Sequence, residues 1–199
     1  MAVSGIIDTS RILRNNTARV GDKLILTKPI GIGIISTAIK RQMADETLTQ
    51  KVIGIMSCLN DIAAETMLRY DVSSVTDVTG FGLLGHLKEM TVGSGVNAHV
   101  DSKAVPLIGE AVGFASSGVI PGGTENNLDY VASCVKWNDD VSRVLRYVLC
   151  DAQTSGGLLI AVRASESDKL LADLRAGGIV EASIIGEITG IGSGTIEVV

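Results

Sequence analysis

The chain has 199 residues, 46% of them hydrophobic, with one Trp, three Tyr and two Phe, so a single sizeable core must be built mainly from Ile, Leu, Val and Ala. A formal charge of -5 with dispersed Lys and Arg excludes a general attraction to nucleic acid, and no apolar run is long enough for a membrane span. Three widely spaced cysteines without a C-x-x-C pair exclude a disulfide framework and a zinc cluster.

The first residues lack the charged and apolar regions of a signal peptide, so a cytoplasmic protein without membrane partners is expected. Residues 3–7 and 23–27 read as strands, with Gly21-Asp22 as a turn before the second. Residues 31–40 begin a helix after Pro29. Gly31 and Gly33 at its start either receive an anion or let the helix pack closely, packing being the plainer use. Residues 45–69 repeat Leu48, Val52, Ile55, Leu59, Ile62 and Met67 at helical spacing, with Asn60-Asp61 dividing two helices and Asp61 capping the second. Residues 72–75 form a short strand pattern.

The run TDVTGFGLLGHLKEM follows at residues 76–90. Gly80 and Gly82 permit a tight turn, and Leu83, Leu84, Leu87 and Met90 mark a helix behind it. Asp77 therefore sits where a strand meets a helix N-terminus. Unpaired N–H groups there suit phosphate, whereas an acid suits Mg²⁺, because like charges repel. The alternative is an ordinary turn or capping Asp. His86 either lines a site, caps the helix or supports a site from behind.

Residues 96–101 alternate as a strand and residues 106–115 return to helical spacing. Residues 116–127 read as a Gly/Ser-rich loop. Its Pro121-Gly122-Gly123-Thr124 either points N–H groups at a ligand or merely leads to a helical turn capped at Asn126 or Asn127. Residues 140–149 read as a helix. Residues 153–157 are a second glycine turn, where Thr154 and Ser155 can bond a phosphate or hydroxyl, and residues 158–162 are an apolar strand. Residues 165–177 read as a helix capped by Ser165 and stopped by Gly177-Gly178, and residues 183–188 and 195–199 as strands. Cys58 and Cys150 read as small core residues rather than nucleophiles. This irregular alternation with hairpin-like pairs predicts an α+β fold, a mixed β-sheet with helices packed on its faces, as one domain over residues 1–199.

Four runs also carry a resemblance: GDKLILTKPIGIG (21–33), DVTGFGLLGH (77–86), PGGTENNLDYV (121–131) and DAQTSGGLLIAV (151–162). They are similar, in order and over most of the chain, to segments of the selenophosphate synthetase (selenide, water dikinase) family. The resemblance implies the C-terminal domain of the aminoimidazole ribonucleotide synthetase superfamily. It implies an enzyme that makes selenophosphate, AMP and phosphate from ATP, selenide and water with Mg²⁺. The family's catalytic Cys or selenocysteine, its Lys, two metal-binding aspartates and a glycine-rich nucleotide loop belong to an N-terminal domain that has no counterpart here. No catalytic residue is therefore carried over. Asp77 is the implied Mg²⁺ ligand, and Thr79, Gly80, Thr154, Ser155 and Gly156 are implied to line the cleft facing the N-terminal domain.

On the same resemblance the full-length protein is a homodimer, and the chain alone is inactive and binds Mg²⁺ weakly. Ala152 and Ile32 stand where the family commonly has Pro and Thr, which removes at most one hydroxyl. The alternatives are another ATP-using enzyme of the superfamily, or a non-catalytic docking module with an exposed apolar patch.

Overall fold

The computed structural model describes residues 5, 6, 8, 9 and 12–199. The predicted strand at 3–7 falls mainly on residues outside this set. Seven strands form one sheet: β1 (Asp22–Leu26), β2 (Val72–Asp77), β3 (Val96–Val100), β4 (Val135–Trp137), β5 (Leu158–Arg163), β6 (Ser183–Ile191) and β7 (Ile196–Val198). Their order is β2-β5-β1-β6-β3-β7-β4. The pairs from β2 through β3 are antiparallel, whereas β7 joins β3 and β4 in parallel. The helices among the described residues are α1 (Ile32–Lys40), α2 (Glu46–Ser57), α3 (Asp61–Met67), α4 (Gly82–Ser94), α5 (Gly109–Ser116), α6 (Gly122–Val131), α7 (Arg143–Leu149) and α8 (Ala164–Ala176). This is the α+β class expected from the sequence. None of these helices is long and apolar enough to cross a membrane.

Strands β1 and β5 are apolar on both faces because both faces are covered. Leu24, Leu26, Leu159 and Ala161 enter the larger core with Ile34 and Ile35 of α1 and Leu83, Leu84 and Leu87 of α4. Ile25, Ile160 and Val162 face the opposite way, onto Ala63 and Met67 of α3 and Leu170 and Leu174 of α8. Each such Leu or Ile contributes roughly 1.5–3 kcal/mol on full burial. Toward β4 the second face turns polar. Register there sets Lys23, Glu187, His99, Glu197 and Lys136 side by side across five strands. The alternation of β3 records this, with Val96, Ala98 and Val100 buried and Asn97 and His99 half-buried.

Several local expectations are corrected. Asp61 does not cap α3: Asn60 holds the N-cap position, and Asp61 Oδ1 accepts from the N–H of Ile62 at 2.8 Å. Asp45 is the working cap of α2, accepting from the Leu48 N–H at 2.8 Å. The predicted loop at 116–127 ends early, because α6 starts at Gly122 with Pro121 as its N-cap. Its inward face is polar at Thr124 and Asn127, so hydrophobic periodicity could not reveal it. Ser165 does not cap α8 but lies within its first turn, after Arg163 at the N-cap position. Cys150 is buried as expected, but Cys58 is exposed at the end of α2. Strand β4, three residues long, is too short to show an alternation.

Candidate functional site at the β2–α4 turn

Strand β2 lies at the sheet edge and ends at Asp77, opposite Leu158 of β5. The segment before β1 runs along part of its outer side, where the Val75 N–H donates to the Arg14 carbonyl at 3.0 Å. After Asp77 the backbone is pinned from three directions. The Val78 N–H donates to the Gly157 carbonyl at 2.8 Å, the Gln153 N–H donates to the Thr79 carbonyl at 3.0 Å, and Asn127 Nδ2 donates to the Gly80 carbonyl at 2.9 Å. Gly82 then starts α4 at φ 69°, and a Cβ there would lie 2.7 Å from the Cys150 carbonyl oxygen. A Cβ on Gly156 would collide with the Val78 carbonyl. The runs DVTGFG, PGGTENN and DAQTSGG are thus one interlocked structure.

The fourth run, TKPIGIG, joins through the start of α1. Gln153 Oε1 accepts from the N–H groups of Gly31 and Ile32, both at 3.2 Å, and Asp151 Oδ2 accepts from that of Ile34 at 3.1 Å. Thr124 Oγ1 donates to Asp151 Oδ1 at 2.6 Å. A buried carboxylate of the chain itself therefore occupies this helix N-terminus, which overturns the reading of Gly31 and Gly33 as an anion dock. They serve packing: a Cβ on Gly31 would lie 2.6 Å from Ala111 Cβ. Burial pushes the Asp151 carboxyl up to about 6, against the opposing pull of bonds from Thr124, Ile34, Gly33 and Gln153.

The surface of this assembly carries the candidate ligands. Asp77, Gly80, Thr154 and Ser155 are exposed, Thr79 is half-buried and Gly156 is buried, its carbonyl accepting from Asn60 Nδ2 at 2.9 Å. Ser155 holds φ 55°, uncommon for a residue with a Cβ, and its carbonyl accepts from Lys28 Nζ at 3.0 Å. Lys28 also donates to the Cys58 carbonyl at 2.6 Å, and burial lowers its ammonium below the ordinary lysine range. Lys28 is thereby committed to the turn rather than to a ligand. The Asp77 carboxylate takes part in no hydrogen bond or ion pair within the described chain. An exposed, unpartnered carboxylate suits a hard divalent cation. Among the described residues, however, no group of three His, Cys, Asp or Glu side chains is placed to hold a metal, so Asp77 can supply one ligand of a site completed from elsewhere.

Behind the turn, Thr79 Oγ1 lies 3.2 Å from His86 Nε2, and His86 Nδ1 lies 3.2 Å from Glu89 Oε2. The exposed Phe81 ring meets the imidazole edge-on at 5.7 Å and lies 5.7 Å from Tyr130, over which Lys88 Nζ sits at 3.7 Å. Sequence reasoning left His86 among three roles and passed over Glu89, although the i,i+3 spacing of the two was legible. Thr124 and Asn127 point inward to Asp151 and the backbone, so this part of the PGGT run braces the site. Its sequence signal was only a Thr and an Asn in what read as a loop.

Residues 19–199 match the family described as AIR synthase related protein, C-terminal domain. The chain is 45% identical over 188 residues to a selenide, water dikinase of Clostridioides difficile (strain 630), covering 94% of this chain and 54% of the relative. It is 47% identical over 188 residues to one of Pelobacter propionicus, with the same coverage. The chain thus spans about half the length of these curated relatives. Among solved structures, E. coli HypE aligns with a TM-score of 0.66 at 18% identity, covering 98% of this chain and 51% of that one. Thiamine monophosphate kinase from Aquifex aeolicus aligns at 0.60 and 14%, covering 96% and 54%. These two likenesses concern the fold alone. On the match over residues 19–199, the chain belongs to the AIR synthase related protein, C-terminal domain family.

Proposed function

We propose that the chain is the C-terminal half of an ATP-dependent selenide, water dikinase, which forms selenophosphate, AMP and phosphate from ATP, selenide and water. The observation that carries this reading is the 45% identity over 188 residues to a protein of that name, with the most distinctive runs gathered at one turn. Asp77 is one Mg²⁺ ligand at the edge of a cleft whose other wall is an N-terminal domain. Bound there, Mg²⁺ would neutralise the charge that develops on transferring phosphate oxygens. The chain's own part is positional. Asp77 offers an unpartnered carboxylate, while Thr79, Gly80, Thr154 and Ser155 present hydroxyls and backbone toward the phosphates. Gly156 lets the two turns meet. HypE, a protein of the same fold, has been solved in complex with ATP, which supports a nucleotide as the ligand of the cleft.

The nucleophile and catalytic lysine belong to the companion domain on this reading, and the working protein is a homodimer of the full-length chain. Phosphorus NMR of ATP with Mg²⁺ and selenide is the test. Selenophosphate is expected when the companion domain is added and not from this chain alone. Selenophosphate from the chain alone would contradict the division of labour, and none from the mixture would contradict the assignment.

A further inference from the structure

Two side chains hold the turn at residues 154–157. Lys28 Nζ donates to the Ser155 carbonyl at 3.0 Å, and the same ammonium donates to the carbonyls of Cys58 at 2.6 Å and Ile55 at 3.4 Å. Asn60 Nδ2 donates to the Gly156 carbonyl at 2.9 Å. The following carbonyl, that of Gly157, accepts from the Val78 N–H at 2.8 Å, which seats the turn against the end of β2. The fit is close, since a Cβ on Gly157 would lie 2.5 Å from the Lys28 backbone nitrogen. Ser155 keeps its φ of 55° within this grip. Three consecutive carbonyls are therefore engaged, and in residues 154–157 only that of Thr154 has no donor among the described residues. What the turn leaves free is mainly donors. The N–H groups of Thr154, Ser155 and Gly156 donate to no acceptor among the described residues, and neither do the hydroxyls of Thr154 and Ser155. In a trans peptide the N–H points opposite to the carbonyl, so drawing the Ser155 carbonyl toward Lys28 turns the Gly156 N–H away from it. Successive N–H groups around a left-handed residue make a concave anion site.

We propose that Lys28 and Asn60 are positioning residues for the phosphates of ATP: by holding the Ser155 and Gly156 carbonyls, they present the opposite, donor-rich edge of the turn to phosphate oxygens. The inference rests on the reading of Thr154 and Ser155 as lining a nucleotide cleft. Neither Lys28 nor Asn60 touches the substrate. The lysine acts through the backbone that it orients, not as a counter-charge to phosphate. The two adjoining turns then divide the ligand by chemistry, the carboxylate of Asp77 taking the cation and the donors of residues 154–156 the anion.

Two measurements test this. In the first, ATP with EDTA and no metal is titrated into the ¹⁵N-labelled chain. The amides of Thr154, Ser155 and Gly156 are expected to shift, and to shift no less in Asp77→Asn. In Lys28→Met and in Asn60→Ala the same shifts should need about tenfold more ATP. Asn60→Ala removes one bond at a half-buried position and keeps the test open if Lys28→Met does not fold. Unchanged affinity in either folded variant would overturn the proposal and leave the cleft reading intact. No shift of these amides in the unmodified chain, with the companion domain as well as without it, would overturn both.

The second measurement follows selenophosphate formation in the protein reconstituted with its companion domain. Asn60→Ala is expected to raise KM for ATP by about tenfold with a smaller fall in kcat, because the lost contact orders the turn before the chemistry begins. A fall in kcat with KM unchanged would overturn the proposal.

Discussion

Burial raises the Asp151 carboxyl to about 6, while four donors from Thr124, Ile34, Gly33 and Gln153 pull it down. A carboxyl that is harder to ionise in the folded state than in the unfolded one binds its proton more tightly when folded. Its contribution to stability is then greatest below its unfolded pKa and declines as pH rises toward about 6. The stability difference between the chain and Asp151→Asn should shrink over that rise in pH, as read by urea unfolding at a series of pH values. A difference that grows with pH would mean that the donors outweigh burial. At Gly82 the backbone, not charge, is decisive. Gly82→Ala places a Cβ at φ 69° against the Cys150 carbonyl and should cost about 2 kcal/mol or more in the same assay. The cysteines divide similarly. Exposed Cys58 should be alkylated in the native protein, whereas burial pushes the Cys150 thiol up to about 12 and should protect it until unfolding. Equal rates for the two would contradict the placement of α2 and α7.

The helices and strands that could be read from the sequence are those with a regular apolar pattern, alternating in β3 and continuous in β5. Leu83, Leu84, Leu87 and Met90 announce α4 by their helical spacing, although Gly85 and His86 are buried as well, and Val96, Ala98 and Val100 announce β3, which buries that face alone. Helix α6 escaped since Thr124 and Asn127 bind Asp151 and backbone carbonyls instead of apolar neighbours. The start of α1 was ambiguous for a related reason: the Asp151 and Gln153 that fill it come from more than a hundred residues along the chain. Caps were misread where several polar residues competed, as at Asn60-Asp61. Asp45 is the tractable test. Asp45→Ala removes the acceptor for the Leu48 N–H and should lower stability by about 1 kcal/mol, measured by thermal unfolding. No change would mean that packing of Leu48 and Val52 alone fixes the start of α2.

Across the molecule, the four distinctive runs meet at one end of β2 and β5, while the helices supply the core behind them. The candidate site was legible in outline because its glycines mark contacts that no other residue fits, as at Gly82 and Gly156. Its internal wiring from Glu89 through His86 to Thr79 required the fold to bring turn and helix together. Phe81, four residues after Asp77, and Leu59, next to the Cys58 whose carbonyl accepts from Lys28, are both exposed apolar side chains. On the proposed reading the companion domain covers both and completes the metal site. The most direct test is Asp77→Asn in the reconstituted protein, following selenophosphate by phosphorus NMR and folding by thermal unfolding. The account expects turnover to fall by about 100-fold or more with the unfolding temperature unchanged. Undiminished turnover in a folded Asp77→Asn protein would contradict it.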